Sequence, residues 1–298
     1  MNMSNIEEHL LARNSRYYQN TKSSSFLNEL KGLSVIEMCI TELCTRTCGF
    51  CPRGDSNIYP NQKLFMSLDT AKKIGMECKA NNYQGDFHFS GFGESLTHKQ
   101  FFPLIKLLKD ILPNNYFALT TNGDLLKEHT AKLAYDSGIN HIIVSCYDGQ
   151  EYYDKFDLML RKVGGSYDIR KLWITPGETL EEMTKRNEFN NRSGAVSSID
   201  FDENKKTFKT NPCYLPFYKL VFDYNGEALL CCNDWFRRHK GFGNINTHSL
   251  QEIWYCEEFN TVRENLKRGV RAGPACSNCS IRGDIVGKES VAAHEQRL

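Results

Sequence analysis

Ser34-Val-Ile-Glu-Met-Cys-Ile-Thr41, followed almost at once by Cys44-Thr-Arg-Thr-Cys48-Gly-Phe-Cys51, is the stretch on which the reading of this chain turns. Val35, Ile36, Met38 and Ile40 make the first half a mostly buried strand. The second half is a short loop that brings three thiols close together. Soft sulfur ligands select iron-sulfur clusters, zinc or Cu(I). A structural zinc site closes its tetrahedron with a fourth Cys or a His, and no His lies between Cys44 and His88. Three ligands leave one coordination position open, and an open position invites a substrate.

Working outward, strand and helix patterns alternate. Ser67 reads as the N-cap of a helix with Leu68, Ala71, Ile74 and Cys78 on one side. Asp86-Phe-His-Phe-Ser90 reads as a strand and 101–112 as an amphipathic helix. Tyr116-Phe-Ala-Leu-Thr120 is the next strand, closed by Thr121-Asn-Gly123, and a helix follows over 125–135. His141-Ile-Ile-Val-Ser145 is a buried strand, then come a helix over 151–161, a strand over 169–174 and a helix over 179–185. Such alternation predicts an α/β fold with a parallel sheet and helical crossovers. In parallel α/β barrels the chemistry gathers at the C-terminal ends of the strands.

The strand, the cysteine run and Ser90-Gly-Phe-Gly-Glu94 together resemble the radical S-adenosylmethionine (radical SAM) superfamily. That resemblance implies a partial (β/α)6 TIM-like barrel. It also implies that Cys44, Cys48 and Cys51 bind three irons of a 4Fe-4S cluster whose fourth iron chelates S-adenosyl-L-methionine. Gly91 and Gly93 would let backbone approach the methionine end of SAM, and Glu94 would accept from its ammonium. Phe92 and Ser95 depart from the Gly-Gly-Glu-Pro element of the family. By the same resemblance, Asn122 and Ser145 would contact the ribose and carboxylate of SAM, and Phe50 would lie against the adenine. As plain turn residues Asn122 and Gly123 need no such role.

With 298 residues the chain is long enough for one large domain or two modest ones. Lys and Arg number 37 against 36 Asp and Glu, so no overall field attracts nucleic acid or an anionic membrane. No run approaches the ~20 apolar residues of a spanning helix, and the acidic start is no secretory signal. Twelve cysteines in clustered spacings then fit metal ligands in a reducing cytoplasm better than a disulfide scaffold.

The C-terminal part has a cysteine framework of its own. Phe217-Tyr-Lys-Leu-Val-Phe-Asp-Tyr224 and Glu227-Ala-Leu-Leu-Cys-Cys232 flank Asn225-Gly226, a pair favoured by two-residue hairpin turns. Ser249-Leu-Gln-Glu252 is a capping-box signature that opens a helix through Ile253, Trp254, Phe259, Val262 and Leu266, with Gly269 as its stop. Around them stand Cys213, Cys231, Cys276 and Cys279, a four-thiolate site for zinc or an iron-sulfur cluster. This part resembles the twitch module, the shortened SPASM domain, which implies one auxiliary 4Fe-4S cluster. The same resemblance implies Cys231 as the ligand in preference to Cys232, because it lies as far after Gly226 as the module's cysteine does. The boundaries read as an N-terminal extension over 1–33, the barrel over 34–190, the twitch module over 191–285 and a tail over 286–298. The element Asn191-Arg-Ser-Gly194 at the junction resembles an Asn-Arg-x-Gly element that precedes the C-terminal module in relatives, which implies Arg192 as an anchor for substrate or an aid to its deprotonation; the alternative is an ordinary surface arginine.

The resemblance to twitch-bearing dehydrogenases implies oxidation of a small polyol, sugar or aminocyclitol alcohol, with the auxiliary cluster as electron acceptor and a flavodoxin or ferredoxin as donor. Epimerisation is the rival, with Cys146 or Cys256 returning a hydrogen atom; free cysteines are more often small packed hydrophobes. Modification of a ribosomal peptide and a non-enzymatic iron-sulfur or zinc protein are the further alternatives.

Overall fold

The computed structural model describes residues 29–179, 182, 183, 186, 187, 189–196 and 210–296. Strand β1 is Val35–Met38, buried throughout. Helix α1 (Leu68–Ala80) starts where Ser67 accepts a hydrogen bond from the Thr70 amide and turns Ala71, Ile74 and Cys78 inward. Then follow β2 (Asp86–Phe89), α2 (Phe101–Ile111), β3 (Phe117–Thr121), α3 (Glu128–Ser137), β4 (His141–Cys146), α4 (Gln150–Val163) and β5 (Ser166–Lys171). The helix expected over 179–185 falls largely outside the described residues.

Beyond residue 210 come a short helix α5 (Leu215–Tyr218), strands β6 (Lys219–Phe222) and β7 (Ala228–Leu229), then α6 (Leu250–Trp254), α7 (Glu257–Lys267) and α8 (Lys288–Glu295). The strands form one seven-stranded sheet in the order β5-β4-β3-β2-β1-β6-β7. All neighbours are parallel except β6 and β7. The sheet stays open, with β5 and β7 at its ends, as a partial barrel requires.

Three expectations change. First, the sixth parallel strand among the described residues is β6, which pairs with β1 so that Ile36 faces Leu220. The sheet therefore runs across the expected boundary at 190/191. Second, the hairpin turns through three residues, with the Gly226 amide donating to the Asp223 carbonyl and Gly226 at φ 83°. Third, the long helix expected from Ser249 is two, α6 and α7, broken at Tyr255-Cys256; the capping box at Ser249 and Glu252 forms as read.

Side chains alternate across the sheet. Ile36, Phe87, Phe117, Ile142 and Leu220 pack on one face into the same core as Ile74, Leu104, Trp254 and Phe259. Glu37 and His88, paired in register between them, belong to the other face. The end of the N-terminal extension joins the core, because Leu30 and Leu33 are fully buried and the Lys31 carbonyl accepts from Trp254 Nε1 at 3.0 Å. The C-terminal tail does the same through α8, whose Ser290 and Ala293 are buried. No helix among the described residues is long and apolar enough to cross a membrane.

Candidate functional site

The three cysteines of the first set occupy the loop that leaves β1, and side chains from elsewhere fix its shape. Asn61 grips Cys44 on both sides, accepting from its amide at 2.8 Å and donating to its carbonyl at 2.6 Å. Cys51 donates its amide to the Cys48 carbonyl. Thr45 and Arg46 tie the loop to the ends of β3 and β4: Thr45 and the Arg46 guanidinium both bond Asp124, and Arg46 also reaches Asp148 at 2.6 Å. Burial, then the charges of Cys51 and Cys44, push Cys48 up to about 12, with Arg46 acting against them.

Glu94 is 3% exposed. Its carboxylate accepts from the Leu96 amide at 3.1 Å, Thr121 Oγ1 at 2.9 Å and the Asn122 amide at 2.8 Å. Burial raises its pKa against these three donors. Glu94 therefore binds the glycine loop to the end of β3, and lone pairs remain for a further donor. Gly91 and Gly93 serve a packing need as well. A Cβ at Gly91 would stand 2.1 Å from Cys39 Sγ, and one at Gly93 2.3 Å from the Thr41 carbonyl oxygen. Both glycines thus press the loop onto the exit of β1.

Asn122 turns its side chain toward the cluster loop, donating to Thr45 Oγ1 at 2.9 Å and, weakly, to Cys44 Sγ at 3.7 Å. Phe50 sits in an aromatic stack, 4.5 Å from Phe189 and 5.6 Å from Tyr147 between ring centroids. Ser145 is buried beneath it and hydrogen-bonds Tyr147, whose phenol burial raises.

The second set converges from three segments. Cys213, Cys231, Cys276 and Cys279 line one cavity. Burial and then the charges of Cys213 and Cys279 push Cys276 up to about 12. Burial, then the charges of Cys232, Cys279 and Cys276, raise Cys231, whereas burial and then Glu37 raise Cys232. Of the two, Cys231 lines the cavity with the other three thiols, and Cys232 packs in a separate cluster with Cys39, Phe92, Val221 and Trp235. Among the described residues no three His, Cys, Asp or Glu side chains converge as ligands of a single ion would. Four thiols gathered around one cavity fit a multi-iron cluster that spreads its ligands over several metals.

Between the two sets lies Arg192. The Asn191 side chain fastens this junction to the second set's loop, donating to the Asn278 carbonyl at 2.7 Å and accepting from the Ser280 amide at 3.1 Å. The Arg192 guanidinium bonds Asn233 Oδ1 at 3.2 Å, and its charge acts on Cys51, Tyr147 and Cys232. It is not a free surface arginine. Cys146 lies under the mouth of the site, donating weakly to the Gly149 carbonyl at 3.8 Å, with Asp148 and Arg46 nearby. Cys256 is elsewhere. It caps α7 beside Glu258 and Arg263, apart from both thiol sets, so a hydrogen-donor role for it has no geometric support.

Several residues of the site carry no local sequence signal. Lys219 from β6 pairs with Glu37 from β1 at 2.8 Å, both buried, and Ser90 donates to the same carboxylate at 2.7 Å. Burial opposes ionisation of Glu37, but the Lys219 charge outweighs it and holds the group below its ordinary value. A second buried network joins Arg53, Glu42, Arg237 and Asp223. Arg53 donates to Glu42 at 2.6 Å and to the Phe92 carbonyl at 2.6 Å. Arg237 bonds Glu42 as well and Asp223 at 2.8 Å. Phe92, the departure from the family's glycine, packs 4.9 Å from Trp235 and lies 4.4 Å beneath the Arg237 guanidinium. Its ring closes the contact between glycine loop and module.

Comparison with known proteins agrees with this arrangement. The sequence pattern of the Radical SAM superfamily matches residues 38–185, and that of SPASM, an iron-sulfur cluster-binding domain, matches residues 213–280. The first brings a 4Fe-4S cluster with SAM, and the second an auxiliary iron-sulfur cluster. The chain is 25% identical over 254 residues to the S-adenosyl-L-methionine-dependent 2-deoxy-scyllo-inosamine dehydrogenase of Niallia circulans, covering 84% of this chain and 94% of that one. It is 30% identical over 116 residues to the GTP 3',8-cyclase of Staphylococcus carnosus, covering 37% of this chain and 33% of that enzyme. Among solved structures, BtrN in complex with AdoMet and 2-DOIA shares the fold with a TM-score of 0.71 at 22% identity, over 86% of this chain and 96% of that one.

Proposed function

We propose, from the premise that this chain belongs to the radical SAM superfamily, that it oxidises a secondary alcohol of a small aminocyclitol, sugar or related polyol to a ketone. The observation that carries the reading is Arg192, whose charge acts on Cys51 of the SAM-side set and whose neighbour Asn191 is fastened to Asn278 and Ser280 in the loop of the auxiliary set. When bound, the first cluster with SAM would supply the chemistry of hydrogen-atom removal from the carbinol carbon, and the auxiliary cluster would supply an acceptor for the second electron. Cys44, Cys48 and Cys51 hold the first cluster; Cys213, Cys231, Cys276 and Cys279 hold the second.

The chain's own residues do the rest. Glu94, with Gly91, Gly93, Asn122 and Ser145, receives SAM, and Phe50 offers its stacked face to the adenine. Arg192 orients the substrate hydroxyl and steadies the oxygen as its proton leaves. The Arg46 clamp to Asp124 and Asp148 covers the mouth and limits water. Each cluster takes its ligands from its own part of the chain, the first before residue 190 and the second after 191, although one sheet spans both parts. A flavodoxin or ferredoxin delivers the first electron, and the enzyme works in the cytoplasm. The dehydrogenase of Niallia circulans favours an aminocyclitol.

Anaerobic reconstitution tests this reading. About eight irons per chain are expected, from two four-iron clusters. Incubation with aminocyclitols and polyols should yield one ketone per 5'-deoxyadenosine. Epimerisation is the competing outcome, favoured only by the position of Cys146 near the mouth. Deuterium incorporated at carbon from deuterium oxide, without net oxidation and lost in Cys146→Ala, would establish it in place of dehydrogenation.

A further inference from the structure

The four thiols of the second set share their cavity with Arg271, a side chain only 8% exposed. Two of its three guanidinium nitrogens are fixed by backbone. Nε donates to the Asn211 carbonyl at 3.2 Å, and Nη1 donates to the Ile281 carbonyl at 2.8 Å. Asn211 and Ile281 closely flank Cys213 and Cys279 in the chain, so the guanidinium is pinned to the same frame as the thiols. The third nitrogen, Nη2, is buried and finds no hydrogen-bond partner among the described residues. Its charge favours the thiolate form of Cys213 and Cys276. A buried donor left unused is costly, and native proteins rarely keep one without an acceptor. The cavity it lines is where anionic sulfur, thiolate and sulfide, gathers.

We propose that Arg271 Nη2 donates a hydrogen bond to a sulfur of the auxiliary cluster and raises that cluster's reduction potential. Charge and hydrogen bonds at sulfur are principal means by which a protein tunes such a cluster. A fixed cation stabilises the reduced state, which carries one more electron, above the oxidised one. Arg271 is thus a positioning residue that makes the second cluster a better electron acceptor than it would be without that cation. A purely structural arginine would need only its two carbonyl contacts. The inference rests on the reading of Cys213, Cys231, Cys276 and Cys279 as ligands, and is independent of the substrate.

The experiment is an electron paramagnetic resonance redox titration of the reconstituted holoenzyme and of its Arg271→Lys and Arg271→Met variants. A Cys276→Ala/Cys279→Ala protein identifies which signal belongs to the second set; if it keeps both clusters, the ligand reading fails and this inference with it. With the ligands established, Arg271→Met should lower the reduced-to-oxidised ratio of the auxiliary cluster at least tenfold at a fixed potential, about 59 mV for a one-electron couple. Arg271→Lys should lower it less, and the first cluster should not move. Equal auxiliary potentials in all three proteins would overturn the proposal. Wild-type protein labelled with 15N in the arginine guanidinium should also show a nitrogen coupling on the reduced auxiliary signal that Arg271→Lys removes. Absence of that coupling rejects the hydrogen bond even where Arg271→Met fails to assemble the cluster.

Discussion

At the scale of single residues, the adjacent pair Cys231 and Cys232 shows how one step along the chain changes a side chain's chemistry. Just beyond β7, Cys231 lines the cavity with Cys213, Cys276 and Cys279, while Cys232 feels the charges of Glu37 and Lys219. Cys232 packs with Cys39, Phe92, Val221 and Trp235, in the same small cluster as Cys51. We expect Cys231→Ala to lower iron from about eight to about four per chain, because a four-iron cluster loses its thiolate set. Cys232→Ala should retain about eight, since one sulfur in a packed cluster can be trimmed without touching a ligand. Iron analysis with EPR of the reduced proteins checks both; equal loss in the two variants would show that either thiol can serve. The sequence preference for Cys231 came from the module's spacing after Gly226, and the structure sets Cys231 in the cavity with the other three thiols. Arg271 was not, since its meaning depends on carbonyls that only the fold brings to it.

Among the elements, those with a clean period were readable and those at edges were not. α1 and α2 carry apolar residues at helical spacing and form close to where the pattern puts them. β5 lies at Ser166–Lys171, earlier than the 169–174 expected, because as the outermost strand it is only partly covered. Its apolar neighbours Leu172, Trp173 and Ile174 drew the reading past its end. The break between α6 and α7 has no Gly or Pro to mark it. It exists because Arg263 of α7, 1% exposed, must donate to the Trp254 carbonyl at 2.5 Å and the Pro216 carbonyl at 2.8 Å. The guanidinium lies 3.9 Å from the Trp254 ring and 4.2 Å from Phe259. Burial lowers its pKa to about 9, which still leaves it charged at neutral pH. Arg263→Met keeps the bulk but leaves two carbonyls without their donor and removes the cation between rings. We expect a loss of about 3 kcal/mol from these terms together, or roughly 5–10 °C in thermal midpoint for a domain of this size. Calorimetry of the reconstituted protein measures it, and a shift under 2 °C would mean that water or a rotamer change satisfies the carbonyls.

The whole molecule is held by contacts that no window of sequence contains. β6 reaches back to β1, and Arg237 reaches Glu42 across 195 positions, so the two cysteine sets share one sheet and one buried ionic network. Within it Asp223 is the member whose charge is least secure. Burial, then the nearby carboxylates of Glu42 and Glu227, raise it from 3.8 to about 7, and the Arg237 guanidinium holds it by two hydrogen bonds of 2.8 and 3.1 Å. In Arg237→Gln that cation is gone. Glu42 keeps Arg53 and Tyr59 as partners, but Asp223 must either bury an unpaired charge or take up a proton. Asp223 already stands at about 7 with Arg237 in place, and without that cation it keeps its proton to still higher pH. Relative to wild type the variant therefore loses stability as pH rises above about 7. The variant should accordingly lose more at pH 8 than at pH 6. Breaking a buried pair costs about 3–5 kcal/mol when the remaining charge stays ionised, and protonation at pH 6 should recover part of that. Thermal midpoints of wild type and Arg237→Gln at the two pH values give the difference. A penalty independent of pH would place the cost in the lost Arg237–Phe92 packing instead, and Arg237→Gln/Phe92→Leu would then be no less stable than the single variant.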